Sequence, residues 1–115
     1  MEKRISQQGL VYHFEFKNKN GSILATAVKL GGTLYVHRFW SFNSQALLRS
    51  ANKELEKFAR EHSCHTIKSE VVKNPRLLKM ASRFGFKRSI RSYLGLSHSW
   101  KGTDVKTIAM HKRVK

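Results

Sequence analysis

Acidic residues, cysteine and long apolar runs are what this sequence has least of. Seven Asp and Glu stand against 23 Lys and Arg, a formal net charge of +16 over 115 residues. A chain so unbalanced repels itself unless a polyanion meets it. The expected partner is therefore nucleic acid, ahead of an acidic protein or an anionic membrane surface. The single cysteine, Cys64, excludes an internal disulfide and a zinc site made of cysteines alone. No stretch approaches the ~20 apolar residues of a membrane-spanning helix, so no membrane partner is expected. The opening residues, MEKRISQQG, lack the apolar segment of a secretory signal, so the cytoplasm is the expected compartment.

What is present excludes a disordered basic tail. Apolar residues make up 40% of the chain and include seven Phe, three Tyr and two Trp, enough for a packed core. The length fits one domain over residues 1–115, with 1–9 read as flexible. The charge is uneven. Residues 1–72 carry 11 basic and 6 acidic residues, whereas 73–115 carry 12 and 1. The positive field therefore belongs to the C-terminal third, interleaved with a folding pattern rather than gathered in a polybasic run.

Tyr12, Phe14 and Phe16 alternate with His13, Glu15 and Lys17, which predicts a strand with an aromatic inner face. Asn20-Gly21 is a hairpin signal, Ile23 to Lys29 a second strand, Gly31-Gly32 a turn, and Thr33 to Trp40 a third strand. Leu47, Leu48, Ala51, Leu55, Phe58, Ala59 and His62 recur at helical spacing and predict a helix over about 44–62, capped by Asn43 or Ser44. Thr66 to Val72 reads as a strand. Asn74-Pro75 then opens a short helix that Gly85 ends. Arg88 to Leu96 and Val105 to Val114 read as two last strands. The fold class is α+β: a mixed, mostly antiparallel sheet with two helices, in the order β-β-β-α-β-α-β-β.

Over residues 10–114 this order resembles the GNAT family of N-acetyltransferases, without that family's first strand and first two helices. The most specific stretch runs Val71-Val72-Lys73-Asn74-Pro75-Arg76-Leu77-Leu78 to Phe84-Gly85-Phe86, where the family has a strand, an Asn, a short helix and a Gly-Phe. The resemblance implies an acyl-CoA slot in a V-shaped gap between the fold's fourth and fifth strands. Two family features are missing. The glycine loop that binds pyrophosphate would fall at Phe39, Phe42 and Ser44, and the tyrosine that protonates the leaving thiolate falls at Ala81. A shorter likeness is to phage-encoded GNAT-like proteins, Mom-type DNA-modification enzymes among them. It is carried by Arg38 and by Asn43-Ser44 before the long helix. That likeness implies a phage or mobile-element origin and a nucleic-acid target, DNA ahead of RNA.

His37 is the candidate general base, because the matching strand carries the base in many GNAT enzymes, and Glu70, an acid expected on a strand, is the alternative base. Asn43, Ser44 and Asn74 are the candidate cofactor contacts. Arg76, Lys79, Arg83, Lys87, Arg88, Arg91, Trp100, Lys101, Lys106, Lys112 and Arg113 form the candidate nucleic-acid surface. Its cations would meet phosphates, and Trp100 would stack a base. Trp40 is expected in the core. His62, Cys64 and His65 are metal-capable types with no second ligand cluster, and no metal is expected. The leading expectation is a nucleic-acid-binding protein with a degenerate acyl-CoA site and no cofactor. The alternatives are an acyl-CoA-dependent N-acyltransferase acting on a nucleobase or other amine, and an inhibitor of an acidic host protein. A second copy of the chain also stays open as a partner.

Overall fold

The computed structural model of the chain describes residues 1–40, 45–89 and 107–114. Its strands are β1 (Glu2–Gln8), β2 (Val11–Asn18), β3 (Gly21–Leu30), β4 (Thr33–His37), β5 (Thr66–Val72), β6 (Lys87–Arg88) and β7 (Thr107–Arg113). Helix α1 (Gln45–Glu61) joins β4 to β5, and α2 (Pro75–Arg83) joins β5 to β6. Among the described residues the strands form one sheet in the order β1-β2-β3-β4-β5-β7-β6. Every pair is antiparallel except β4 with β5.

Both helical connections step the same way across the sheet, and such crossovers are right-handed, so both helices fall on one face. Side-chain contacts agree. Phe58 of α1 meets Tyr12 and Phe14 edge-on, each at 4.9 Å between ring centroids. Phe14, Phe16, Ile23, Ala25, Ala27, Leu34, Val36, Ile67 and Met110 point at the helices and are buried with Leu47, Leu48, Ala51 and Leu55. The opposite face has neither described helix on it. There Glu15, Thr26, Val28, Tyr35, His37 and Lys68 remain partly exposed.

Two expectations need correction, the start of the sheet and the end of β4. Residues 2–8 form a strand rather than a flexible lead. All seven are exposed, so no apolar alternation marks them, and the backbone ladder to β2 holds them in place. The second and third strands turn through Lys19-Asn20 with Asn18 paired to Gly21. The Asn18 side chain accepts from the Asn20 N–H at 2.8 Å, and Gly21 needs no positive φ. β4 stops at His37, because Arg38 is left-handed (φ 62) and sends Phe39 and Trp40 into the core. Of the predicted Arg88–Leu96 strand, Arg88 ends β6 and Ser89 follows it, while residues 90–96 lie outside the described residues.

Local rules hold elsewhere. Asn74 caps α2, its Oδ1 accepting from Arg76 N–H at 3.0 Å and Leu77 N–H at 3.4 Å, with Pro75 at the first helical position. Gly85 (φ 96) ends the helix, and the Phe86 N–H returns to the Ala81 carbonyl at 3.0 Å. At Gly32 a Cβ would stand 2.3 Å from the exposed His65 ring, which would have to turn aside.

Candidate active site and basic surfaces

The parallel ladder between β4 and β5 runs from Thr33–Thr66 to Val36–Ser69 and stops there, while β5 continues to Val72 beside β7. The two strands part at this point, and His37 and Glu70 are the first residues past it. Burial pushes the His37 imidazole below its ordinary value. The Glu70 carboxylate pulls it back up, and Arg38 lowers it again. His37 is therefore neutral at pH 7 and able to accept a proton. Glu70 is itself buried, and Thr107 Oγ1 donates to its Oε2 at 2.8 Å. The two candidate catalytic residues are thus brought together on the helix-free face.

On the helix side the same fork is filled. Trp40 is 1% exposed, and its Nε1–H donates to Ser69 Oγ at 3.0 Å. The Ser69 hydroxyl in turn donates to the Val36 carbonyl at 3.0 Å. Phe39, Phe84 and Phe86 pack around the indole at 4.9–5.9 Å. Val36, Phe39, Trp40, Asn52, Leu55, Ile67, Ser69 and Phe86 leave no space for a water molecule between them. The core expectation for Trp40 holds.

Beside that plug, a cavity of about 110 Å³ opens between the first turn of α1 and the end of α2, lined by Gln45, Arg49, Met80, Arg83 and Phe84. Arg49 and Arg83 are exposed cations, and α1 has no acidic residue in its first turn to oppose an anion there. The donor set and the size suit a phosphate-sized group. Sequence reasoning missed Arg49 because its relation to Arg83 is made only by folding.

The other site candidates fare unequally. Asn74 spends its side-chain oxygen on capping α2. Asn43, Ser44, Arg91, Trp100, Lys101 and Lys106 lie outside the described residues. Arg76, Lys79 and Arg83 are exposed on α2, and Lys87, Arg88 and Arg113 are exposed on β6 and β7. They do not form one patch. The strand register puts Lys87 and Arg113 on the helix-free face with His111, and Arg88 on the helix face with Met110. Lys112 does not belong to the basic surface at all. It is 6% exposed, and its Nζ donates to Asn52 Oδ1 (3.0 Å), Glu56 Oε1 (3.0 Å) and the Phe84 carbonyl (3.1 Å), 4.8 Å from the Phe86 ring centroid. Burial lowers its pKa even though Glu56 favours the charged form.

The sheet order, its parting between β4 and β5, and the two helices on one face define a GNAT-like fold. Solved acetyltransferases share it. Nourseothricin acetyltransferase matches with a TM-score of 0.69 at 15% identity, over 93% of this chain and 67% of that one. A ribosomal-protein alanine N-acetyltransferase from Escherichia coli matches with a TM-score of 0.66 at 15% identity, over 95% and 72%. Spermidine N-acetyltransferase from Vibrio cholerae, in complex with CoA and spermine, matches at 0.66 and 11%, over 92% and 67%. No protein-family model matches the sequence, and no curated protein matches it. Among the described residues no helix is long and apolar enough to cross a membrane.

Proposed function

We propose that the chain is an acyl-CoA-dependent N-acyltransferase whose acceptor is an amine on a polyanion, nucleic acid first. The observation that carries this reading is His37, held neutral by burial beside Glu70 where β4 and β5 part. Likeness to acetyltransferases of known structure supports it, one of them in complex with CoA and a polyamine. Acyl-CoA, when bound, supplies an activated acyl carbonyl. Arg49 and Arg83 would hold its phosphates beside the N-terminus of α1. His37 takes the proton that the acceptor amine sheds as the C–N bond forms and the thioester C–S bond breaks, and the Glu70 carboxylate stabilises the imidazolium. The coenzyme would leave as its thiolate and take its proton from that imidazolium or from water, since Ala81 has none to give. Incubating the protein with acetyl-CoA and single-stranded oligonucleotides or spermine, then weighing the products, tests this. An acetylated product that disappears in His37→Gln is expected. Acetylation unchanged in His37→Gln removes the base from the reading.

A second reading is a nucleic-acid-binding protein that carries out no acyl transfer. The aromatic packing around Trp40 favours it, since no water-sized space remains on the helix side of the fork. In that case no acetylated product forms while nucleic acid still binds.

A further inference from the structure

We propose that β1 is the edge through which two copies of the chain pair, antiparallel and about a two-fold axis at Ile5. This goes beyond the proposed function and does not depend on acyl transfer. β1 stands at one end of the sheet order and pairs only with β2. All seven of its residues are exposed. Its ladder to β2 runs unbroken from Glu2–Lys17 to Gln8–Val11. Sheets usually blunt an edge with a proline, a bulge or a very short strand. β1 has neither proline nor bulge, and it is as long as the interior strand β5. At the other end of the sheet, β6 is two residues long, Lys87 and Arg88, both exposed cations.

The backbone of β1 is set to pair. Gly9 and Leu10 make a two-residue turn with its positive φ (62) at Gly9, the type II′ arrangement. The residues that close such a turn, Gln8 and Val11, exchange both hydrogen bonds, and the pattern alternates from there. Glu2, Arg4, Ser6 and Gln8 therefore aim their N–H and C=O groups at β2, whereas Lys3, Ile5 and Gln7 aim theirs at the open edge. A second β1 laid with Ile5 opposite Ile5 sets Lys3 against the partner's Gln7 and Gln7 against the partner's Lys3. Each of these facing pairs exchanges two backbone hydrogen bonds. The axis is perpendicular to the sheet, so the helices of both copies stay on one side.

Charge selects this occupant and this register. Every charged residue of β1 already stands beside its opposite within the chain. Lys3 donates to Glu54 Oε2 at 2.6 Å, and the register places Glu2 next to Lys17 and Arg4 next to Glu15. The edge is therefore locally neutral on a chain of +16. Centring the pair on Arg4 would set Arg4 against Arg4, and centring it on Lys3 would do the same to Lys3. Centring on Ile5 sets Arg4 against Ser6 and buries the 40% exposed Ile5 side chain against its copy, beside Phe14 of β2. The exposed cations of α2 and β6 belong to the other end of the sheet. β6 lies six strand spacings of about 4.8 Å from β1, roughly 29 Å, against a screening length of about 10 Å. Two copies meeting at β1 keep those cations apart, and a polyanion finds little at this edge to attract it.

Sedimentation equilibrium of the full chain over a range of concentrations tests the proposal. The wild-type mass should double as concentration rises, and added salt should not dissolve the dimer, since the seam is neutral. Ile5→Lys should weaken the dimer about tenfold or more by setting like charges against each other at the axis, and Ile5→Glu should do the same. Mixing the two variants should restore a mixed dimer, a rescue specific to Ile5 facing Ile5. Ile5→Pro removes an edge-facing N–H and spares the ladder to β2, so it should give a monomer with an unchanged circular dichroism spectrum. Four results would overturn the proposal: a wild-type monomer at every concentration, a dimer indifferent to all three variants, no association on mixing Ile5→Lys with Ile5→Glu, or a dimer formed only when an oligonucleotide is added, which would make the polyanion the bridge.

Discussion

Replacing Lys112 by Met keeps the unbranched stem that packs beside Phe86 and removes the ammonium. Three acceptors lose their donor: Asn52 Oδ1, Glu56 Oε1 and the Phe84 carbonyl. Glu56 is partly exposed and keeps the Asn52 Nδ2–H at 2.9 Å, so water and Asn52 compensate it. Asn52 is 5% exposed, and the Phe84 carbonyl is where α2 ends. A buried acceptor left without a donor costs about 1–3 kcal/mol. The methionine offsets part of this by sparing the desolvation of a charge. The net loss should be about 2–3 kcal/mol, and at ~4 °C per kcal/mol for a domain of this size Tm should fall by roughly 8–12 °C. Urea unfolding followed by circular dichroism measures the first figure, and a thermal melt measures the second. Oligonucleotide affinity and its salt slope should not move. A stability change under about 0.5 kcal/mol, typical of a surface site, would refute the buried role. So would a salt slope reduced by about one, the mark of a lost phosphate contact.

Three other outcomes follow from single residues. His37 is depressed in the fold below its unfolded value of 6.5, so the unfolded chain takes up its proton first as pH falls. Stability should therefore decline as pH drops through 6.5 and level off below the folded pKa, and His37→Gln should remove that part of the slope. Glu70→Gln removes the group that raises His37, so the His37 midpoint in an NMR titration should move lower; a midpoint moving higher would contradict the pairing. Asn74→Ala removes the cap of α2 and should cost about 1 kcal/mol in urea unfolding, whereas Asn74→Ser should recover most of it. Trp40→Phe removes the donor to Ser69 Oγ and some core volume, for a loss of about 1–2 kcal/mol; no loss would mean that the indole does not hold the fork.

What could be read in the sequence was what local rules govern. Asn74-Pro75 and Gly85 mark a helix by capping chemistry, and Leu47 to Phe58 mark another by their spacing. The aromatic alternation of Tyr12, Phe14 and Phe16 gave the inner face of β2. β1 was not legible because a strand exposed on both faces has no pattern to show. The end of β4 was not legible because a left-handed arginine carries no glycine or asparagine signature. Lys112 read as a surface cation because the groups that bury it, Asn52 and Glu56, are 60 and 56 residues away. His37 was named from the family likeness and Glu70 as an acid on a predicted strand, and the structure brings them to one fork. Arg49 meets Arg83 only where two helices come together, and that meeting is not written in neighbouring residues.

In the proposed function the arginine-lined cavity between α1 and α2 takes the phosphates of an acyl-CoA although the glycine loop is missing. Isothermal titration of acetyl-CoA into the wild-type protein and into Arg49→Ala, Arg83→Ala tests it most directly. Saturable heat at one site per chain is expected, with at least a tenfold weaker affinity in the double variant, about 1.4 kcal/mol. No heat from the folded wild-type protein, or an affinity indifferent to both arginines, would contradict it.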